Sequence, residues 1–226
     1  MFRSRLVSAL LIFFLSAAVE AGAATAGRVA SLSGSLMAAK LDGRKVALAV
    51  NSPIDTGDTL HTDSTAWALV RFNDGSVVTI KPDSRFQVQE FDFEESDPAR
   101  DNIVLVLVKG GLRAVTGLIG KRHKPGAYRL RTLTATIGIR GTDYGVQYCS
   151  GGDCAGKKTL SGEVLADGLH LEVFEGGISV TNDAGSIDLA VGQFGYVKDH
   201  ATLPVAGSDG YHDPGAAPRA GECALD

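Results

Sequence analysis

Apolar and polar residues alternate in short runs along most of the chain, and glycines separate the runs. Over residues 28–38 apolar side chains fall at Val29, Leu32 and Leu36 with Gly34 between them, which predicts a strand with a bend or bulge at the glycine. After the Asp42-Gly43 turn, Val46, Leu48 and Val50 repeat with period two. Residues 66–72 meet Asn73-Asp74-Gly75 and return through 76–80. That is a predicted hairpin, because Asp-Gly supplies the positive φ angles of a tight turn. Phe86, Val88 and Phe91 mark a further strand, and the acidic run 92–97 before Pro98 reads as a solvated loop. Residues 103–108 are continuously apolar, as a buried strand requires, and Gly110-Gly111 ends them. Residues 128–136 alternate with one slip, and 137–142 lead into a strand at 143–148. Nowhere does a long helical period occur, so the expected fold is all-β, built of stacked, twisted strands.

The chain also echoes itself. Lys109-Gly110-Gly111-Leu112-Arg113-Ala114-Val115-Thr116 resembles Glu175-Gly176-Gly177-Ile178-Ser179-Val180-Thr181, and Gly34-Ser35-Leu36 opens a similar stretch. Imperfect strand-and-glycine repeats suit stacked β-coils or a repeated hairpin unit. Past Val197 the pattern dissolves, and residues 199–226, with Pro204, Pro214 and Pro218, read as a flexible tail.

At the other end, Arg3 and Arg5 precede an apolar run over 6–19, and small residues follow Glu20. This is the pattern of an export leader, too short and too broken to span a membrane. Two A-x-A sites place cleavage after Ala23 or after Ala26, with the second preferred; the expected divisions are then a leader at 1–26, a β domain at 27–198 and the tail. Export implies the periplasm or the outside of the cell. The net charge of −4 becomes more negative once two arginines leave with the leader, which disfavours nucleic acid as a partner.

An oxidising compartment changes the reading of the cysteines. Cys149 and Cys154 flank Ser150-Gly151-Gly152-Asp153, a loop that can turn back on itself, so a local disulfide is expected in preference to a metal pair, which would need further ligands nearby. Cys223 is left over in the tail. Candidate chemistry is otherwise sparse. Ile54-Asp55-Thr56-Gly57 looks like the aspartic protease signature, but no second such loop occurs, so a plain turn is preferred. His61, His123, His170, His200 and His212 make no metal-binding spacing. The basic turn at 121–124 reads as a solvated loop before an anion site. No catalytic set, cofactor or metal site is expected.

Two blocks carry a resemblance. Gly57-Asp58-Thr59-Leu60-His61-Thr62-Asp63 precedes the 66–76 hairpin with its Phe72-Asn73-Asp74-Gly75-Ser76 turn, and Lys109-Gly110-Gly111-Leu112-Arg113 precedes Arg131–Val146, which contains Ile139-Arg140-Gly141-Thr142-Asp143-Tyr144. In order and spacing these resemble the FecR domain family, with Leu133 where proline is common and Tyr144 where phenylalanine is common. The resemblance implies a solenoid-like, all-β periplasmic domain with Gly57, Asp58, Asp74, Gly75, Arg140, Gly141 and Thr142 as motif residues. Well-known members join such a domain to a cytoplasmic sigma-factor-binding region through a membrane helix; here only five residues precede the apolar run. The expected function is therefore an interaction or sensing module of the cell envelope that docks a protein without catalysis. A peptidoglycan or polysaccharide binder, stacking sugars on Trp67, Tyr144 or Tyr148, is the alternative, although period two pairs Trp67 with Leu69 and favours a core role for it.

Overall fold

The computed structural model describes residues 24–122 and 124–212. Fifteen strands and one short helix account for the regular structure among them. The first half holds β1 (Thr25–Ser33), β2 (Leu36–Ala39), β3 (Lys45–Leu48), β4 (Pro53–Asp55), β5 (Thr59–Thr62), β6 (Trp67–Phe72), β7 (Val77–Ile80) and β8 (Arg85–Asp92). The second holds β9 (Asn102–Val115), α1 (Leu118–Lys121), β10 (Tyr128–Arg131), β11 (Thr136–Cys149), β12 (Gly168–Asn182), β13 (Gly185–Ala190), β14 (Phe194–Val197) and β15 (Val205–Gly207).

All the strands join one mixed sheet organised by the long strands β9, β11 and β12. On one side β9 pairs β10 with its first half and β11 with its second; on the other it pairs β8 and then β7. Two arms start there, β8-β5-β2-β3 and β7-β6-β1-β4. They close on one core, to which Leu60 and Phe86 come from the first arm, Val29, Val70 and Ile80 from the second, and Leu112, Val146 and Val180 from the long strands. Period two delivers these residues: in β6, Ala68, Val70 and Phe72 point into the core while Arg71 is exposed. Each large aliphatic buried this way contributes about 1.5–3 kcal/mol.

A long strand that pairs with different neighbours along its two halves has to turn a corner. β9 does so at Gly110 (φ +81) and β12 at Gly176 (φ +77), a conformation that side chains other than glycine resist. A Cβ on Gly176 would lie 2.3 Å from the Gly141 carbonyl oxygen, so the corners of β11 and β12 stack backbone on backbone. The sequence echo has this physical cause: Gly34, Gly110 and Gly176, which open the three similar stretches, share one left-handed conformation at φ +78, +81 and +77.

Several boundaries differ from the sequence expectation. Residues 24–26, assigned to the leader, already belong to the folded domain, with Ala26 fully buried in β1; residues 1–23 lie outside the described part. Residues 128–136 are split by a turn in which Thr132 N donates to Ala135 O at 2.9 Å, leaving Leu133 exposed. The tail expected from 199 is packed chain as far as His212: β15 pairs with β14, and Leu160 N donates to Gly210 O at 3.0 Å. The segment 213–226, with Cys223, lies outside the described residues. Trp67 is half-buried on the face of β6 opposite Ala68 and Val70, away from the main core.

Candidate functional site

The Gly57-Asp58 motif is a structural clasp. Asp58, whose side chain is 2% exposed, accepts from Lys40 Nζ at 2.7 Å and from Asp55 N at 2.9 Å through the same oxygen. Lys40 Nζ also reaches Asp55 Oδ2 at 3.0 Å, and Thr25 Oγ1 donates to Asp55 Oδ1 at 2.9 Å. Burial raises the Asp55 carboxyl, but the hydrogen bonds from Lys40 and Thr25 outweigh it and hold the group below the usual carboxylate range. Burial likewise lowers the Lys40 ammonium, and its bonds to Asp58 and Asp55 more than reverse that. An Asp held ionised by a lysine and a threonine is unlike the carboxylate pair sharing one proton that an aspartic protease needs, so Asp55 ties β1 to β4.

The Asp74-Gly75 hairpin performs a second fastening. Asp74 Oδ1 accepts from Ser76 N at 2.9 Å, Asp74 Oδ2 from Ser76 Oγ at 2.8 Å, and Ser76 Oγ in turn accepts from Gly117 N at 2.8 Å. Leu118 N donates to Asp74 O at 2.8 Å, so the hairpin turn and the start of α1 are locked together. Burial dominates the Asp74 carboxyl and pushes it up despite the bonds from Ser76. In the Arg140-Gly141-Thr142 motif, Thr142 N donates to Thr116 Oγ1 at 2.8 Å and Thr142 Oγ1 to Gly177 O at 2.8 Å. This joins the end of β9 to the corners midway along β11 and β12. Arg140 is exposed and borders an open groove with Lys124, Gly126 and Ser179.

Facing away from the core, β7, β9, β11, β12 and β14 present two cross-strand rows. One runs Thr79, Arg113, Gly145, Glu172, Phe194; the other includes Gly111, Gln147, His170 and Tyr196. Arg113 grips Asp143 with Nε and Nη2 at 2.9 and 2.7 Å, and its guanidinium lies 4.0 Å from the Phe174 ring centroid. Residues 211 and 212 lie over this platform. Tyr211 sits beside Lys81 and Lys157, 5.1 and 5.5 Å from the ring centroid, and His212 Nδ1 is 2.8 Å from Glu172 Oε1. Beside it Cys149 and Cys154 form the expected disulfide, Cα–Cα 5.5 Å, which leaves neither a thiolate to offer a metal although Asp153 is close. The basic turn is committed too: Arg122 contacts Asp101 at 3.3 Å and Lys124 Nζ donates to Asp101 O at 2.9 Å, so both hold the acidic loop.

The remaining candidate is an edge. β3, β4, β13 and β15 each pair on one side among the described residues, and β13, with six residues, is the longest. Alternate residues of an antiparallel strand turn both backbone groups away from the partner. Ala190 belongs to that set, since its N–H reaches Gln193 Oε1 at 2.8 Å, so Ser186 and Asp188 also direct their backbone groups outward. Exposed apolar residues stand at both ends: Val191 follows the strand, and Leu203 lies against Gly185.

The family model described as FecR protein matches residues 58–179, more than half of the chain. This chain belongs to the FecR family. Its members are regulatory rather than catalytic. Two crystal structures of a "putative anti-sigma factor" from Parabacteroides distasonis ATCC 8503 are similar at 14% identity and a TM-score of 0.46, over 66% of this chain and 58% of theirs. The chain thus spans 58% of the length of those structures. A "Cell surface anchoring domain" matches at 30% identity, TM-score 0.27, over 27% of this chain and 80% of its own. No curated protein matches.

Placed in the structure, the FecR motif residues are mostly fasteners: Asp58, Asp74 and Thr142 are buried and hydrogen-bonded, and Gly57, Gly75 and Gly141 have positive φ. Arg140 is the exposed side chain among them, and Gly75 lies exposed at the hairpin tip. The structure brings together partners that the motifs did not name, Lys40 with Asp58, Ser76 with Gly117, and Thr116 with Thr142. Lys40 stands outside any regular spacing from Asp58, and only strand pairing reveals the contact. Of the sugar-stacking candidates, Tyr144 is fully buried, and Tyr148 and Trp67 are half-buried.

Proposed function

We propose that this FecR-family chain is exported and serves in the cell envelope as a signalling or sensing module that docks a protein partner along the outward edge of β13. Family membership supports the regulatory role, and no helix among the described residues is long and apolar enough to cross a membrane. The observation that carries the contact is the six-residue edge with outward backbone groups at Ser186 and Asp188, set between exposed Val191 and Leu203. An extended segment adding to such an edge gains main-chain hydrogen bonds, with the flanking apolar residues supplying specificity. The motif carboxylates support the same reading, because each is engaged in holding the fold.

Proline at 188 tests this. It removes one outward N–H, which an edge strand tolerates. Asp188→Pro should melt close to the wild type yet lose the partner recovered from envelope extract, and wild-type recovery should persist at high salt. Undiminished recovery by a folded Asp188→Pro chain, or recovery of peptidoglycan alone, would refute the edge as the dock.

A further inference from the structure

The leader's two A-x-A sites, Ala21-Gly22-Ala23 and Ala24-Thr25-Ala26, are equivalent in composition, but they are not equivalent in the fold. Residues 24–26 are woven into the domain. Thr56 N donates to Ala24 O at 2.9 Å, and Asn73 N donates to Ala26 O at 2.9 Å. Asn73 Nδ2 donates to Thr25 O at 2.8 Å, while the Thr25 hydroxyl holds Asp55. Thr25 is paired across from Asp55 as the outermost rung between β1 and β4, and the Ala26 methyl is fully buried in the main core.

Cutting after Ala26 would delete the rung, all four of those hydrogen bonds and the buried methyl. It would also take Thr25 from the Asp55 carboxylate, which Lys40 would still hold at the edge of the clasp formed with Asp58. Cutting after Ala23 leaves every one of these contacts in place, and the first residue released, Ala24, is exposed. Small residues at both flanking positions satisfy a leader peptidase in either register, so the requirements of the folded product separate the two.

We infer that the export leader is removed by hydrolysis of the Ala23–Ala24 peptide bond. Water adds across the C–N bond, leaving the Ala23 carboxylate on the leader and the Ala24 amine on the mature chain. The inference rests on the export reading proposed above and refines it.

N-terminal sequencing and intact mass of the protein recovered from the envelope test it. The expected chain begins Ala24-Thr25-Ala26-Gly27. A chain beginning at Gly27 would overturn the inference and leave the export reading standing. Met1 retained on protein from the envelope would overturn the export reading itself. As a second arm, Ala26→Leu removes the small residue of the second site alone and should still mature to a chain beginning at Ala24; accumulation of its uncleaved precursor would equally overturn the inference.

Discussion

Gly75 and Gly176 share a backbone conformation, φ +84 and +77, but differ in their surroundings, and that difference makes a sharp test. Alanine at either position carries the left-handed penalty of about 1–2 kcal/mol. At Gly75 a new Cβ meets nothing within 4 Å, so the cost ends there. At Gly176 it would lie 2.3 Å from the Gly141 carbonyl oxygen and 3.1 Å from Thr142 Cα, all backbone atoms with no rotamer to yield. Relief requires β11 and β12 to part at the corner, straining the Thr142 hydroxyl's bond to Gly177 O. Overpacking of this kind adds about 1–3 kcal/mol, so Gly176→Ala should lose about 2–5 kcal/mol against about 1–2 for Gly75→Ala. Urea unfolding of both variants with the wild type reads the difference as a shift in midpoint at unchanged slope. Equal midpoints for the two would refute the stacked-corner account, because conformation alone would then explain both.

Three other expectations use the same kind of measurement. Lys40→Met leaves the nearly buried Asp58 carboxylate without its cation and should destabilise by about 3 kcal/mol at neutral pH, much more than loss of an exposed pair such as Lys109–Asp83. Burial lowers the His170 imidazole more than its bond to Ala166 O raises it, so the unfolded chain binds a proton more readily than the folded one; stability from this group is present above the free-histidine pKa and is lost as pH falls through the lower folded value, and His170→Gln should flatten that part of the profile. Replacing both Cys149 and Cys154 by serine should cost about 2 kcal/mol, the loop-closure entropy of so short a ring, and reduction should mimic it only in the wild type.

The strands were readable where one face is buried. Val70 and Phe72, and again Val78 and Ile80, alternate toward the core, and Asp74-Gly75 announces the turn between them. The disulfide was readable because its partners are local. Partnerships across the chain were not: Lys40 meets Asp58, and Thr142 meets Thr116, only after strands distant in sequence pair. The same reason hid the packing of 199–212, where the apolar residues follow no period although Asp209 binds Ser161 and His212 meets Glu172. Trp67 was misread because β6 is packed on both faces, Leu69 being buried away from the main core, so period two alone did not identify the core side. The motif residues were singled out by resemblance alone, and their role in fastening corners emerges only from the hydrogen bonds.

The most direct test of the docking reading is photocrosslinking in cells with a photoreactive residue at Ser186, on the open edge, and the same residue at Leu41, which is 73% exposed on the β2–β3 turn. The account predicts a discrete protein adduct from position 186 that is absent from position 41 and disappears when Asp188→Pro is added. Adducts of equal intensity from both positions, or attachment to glycan alone, would contradict it.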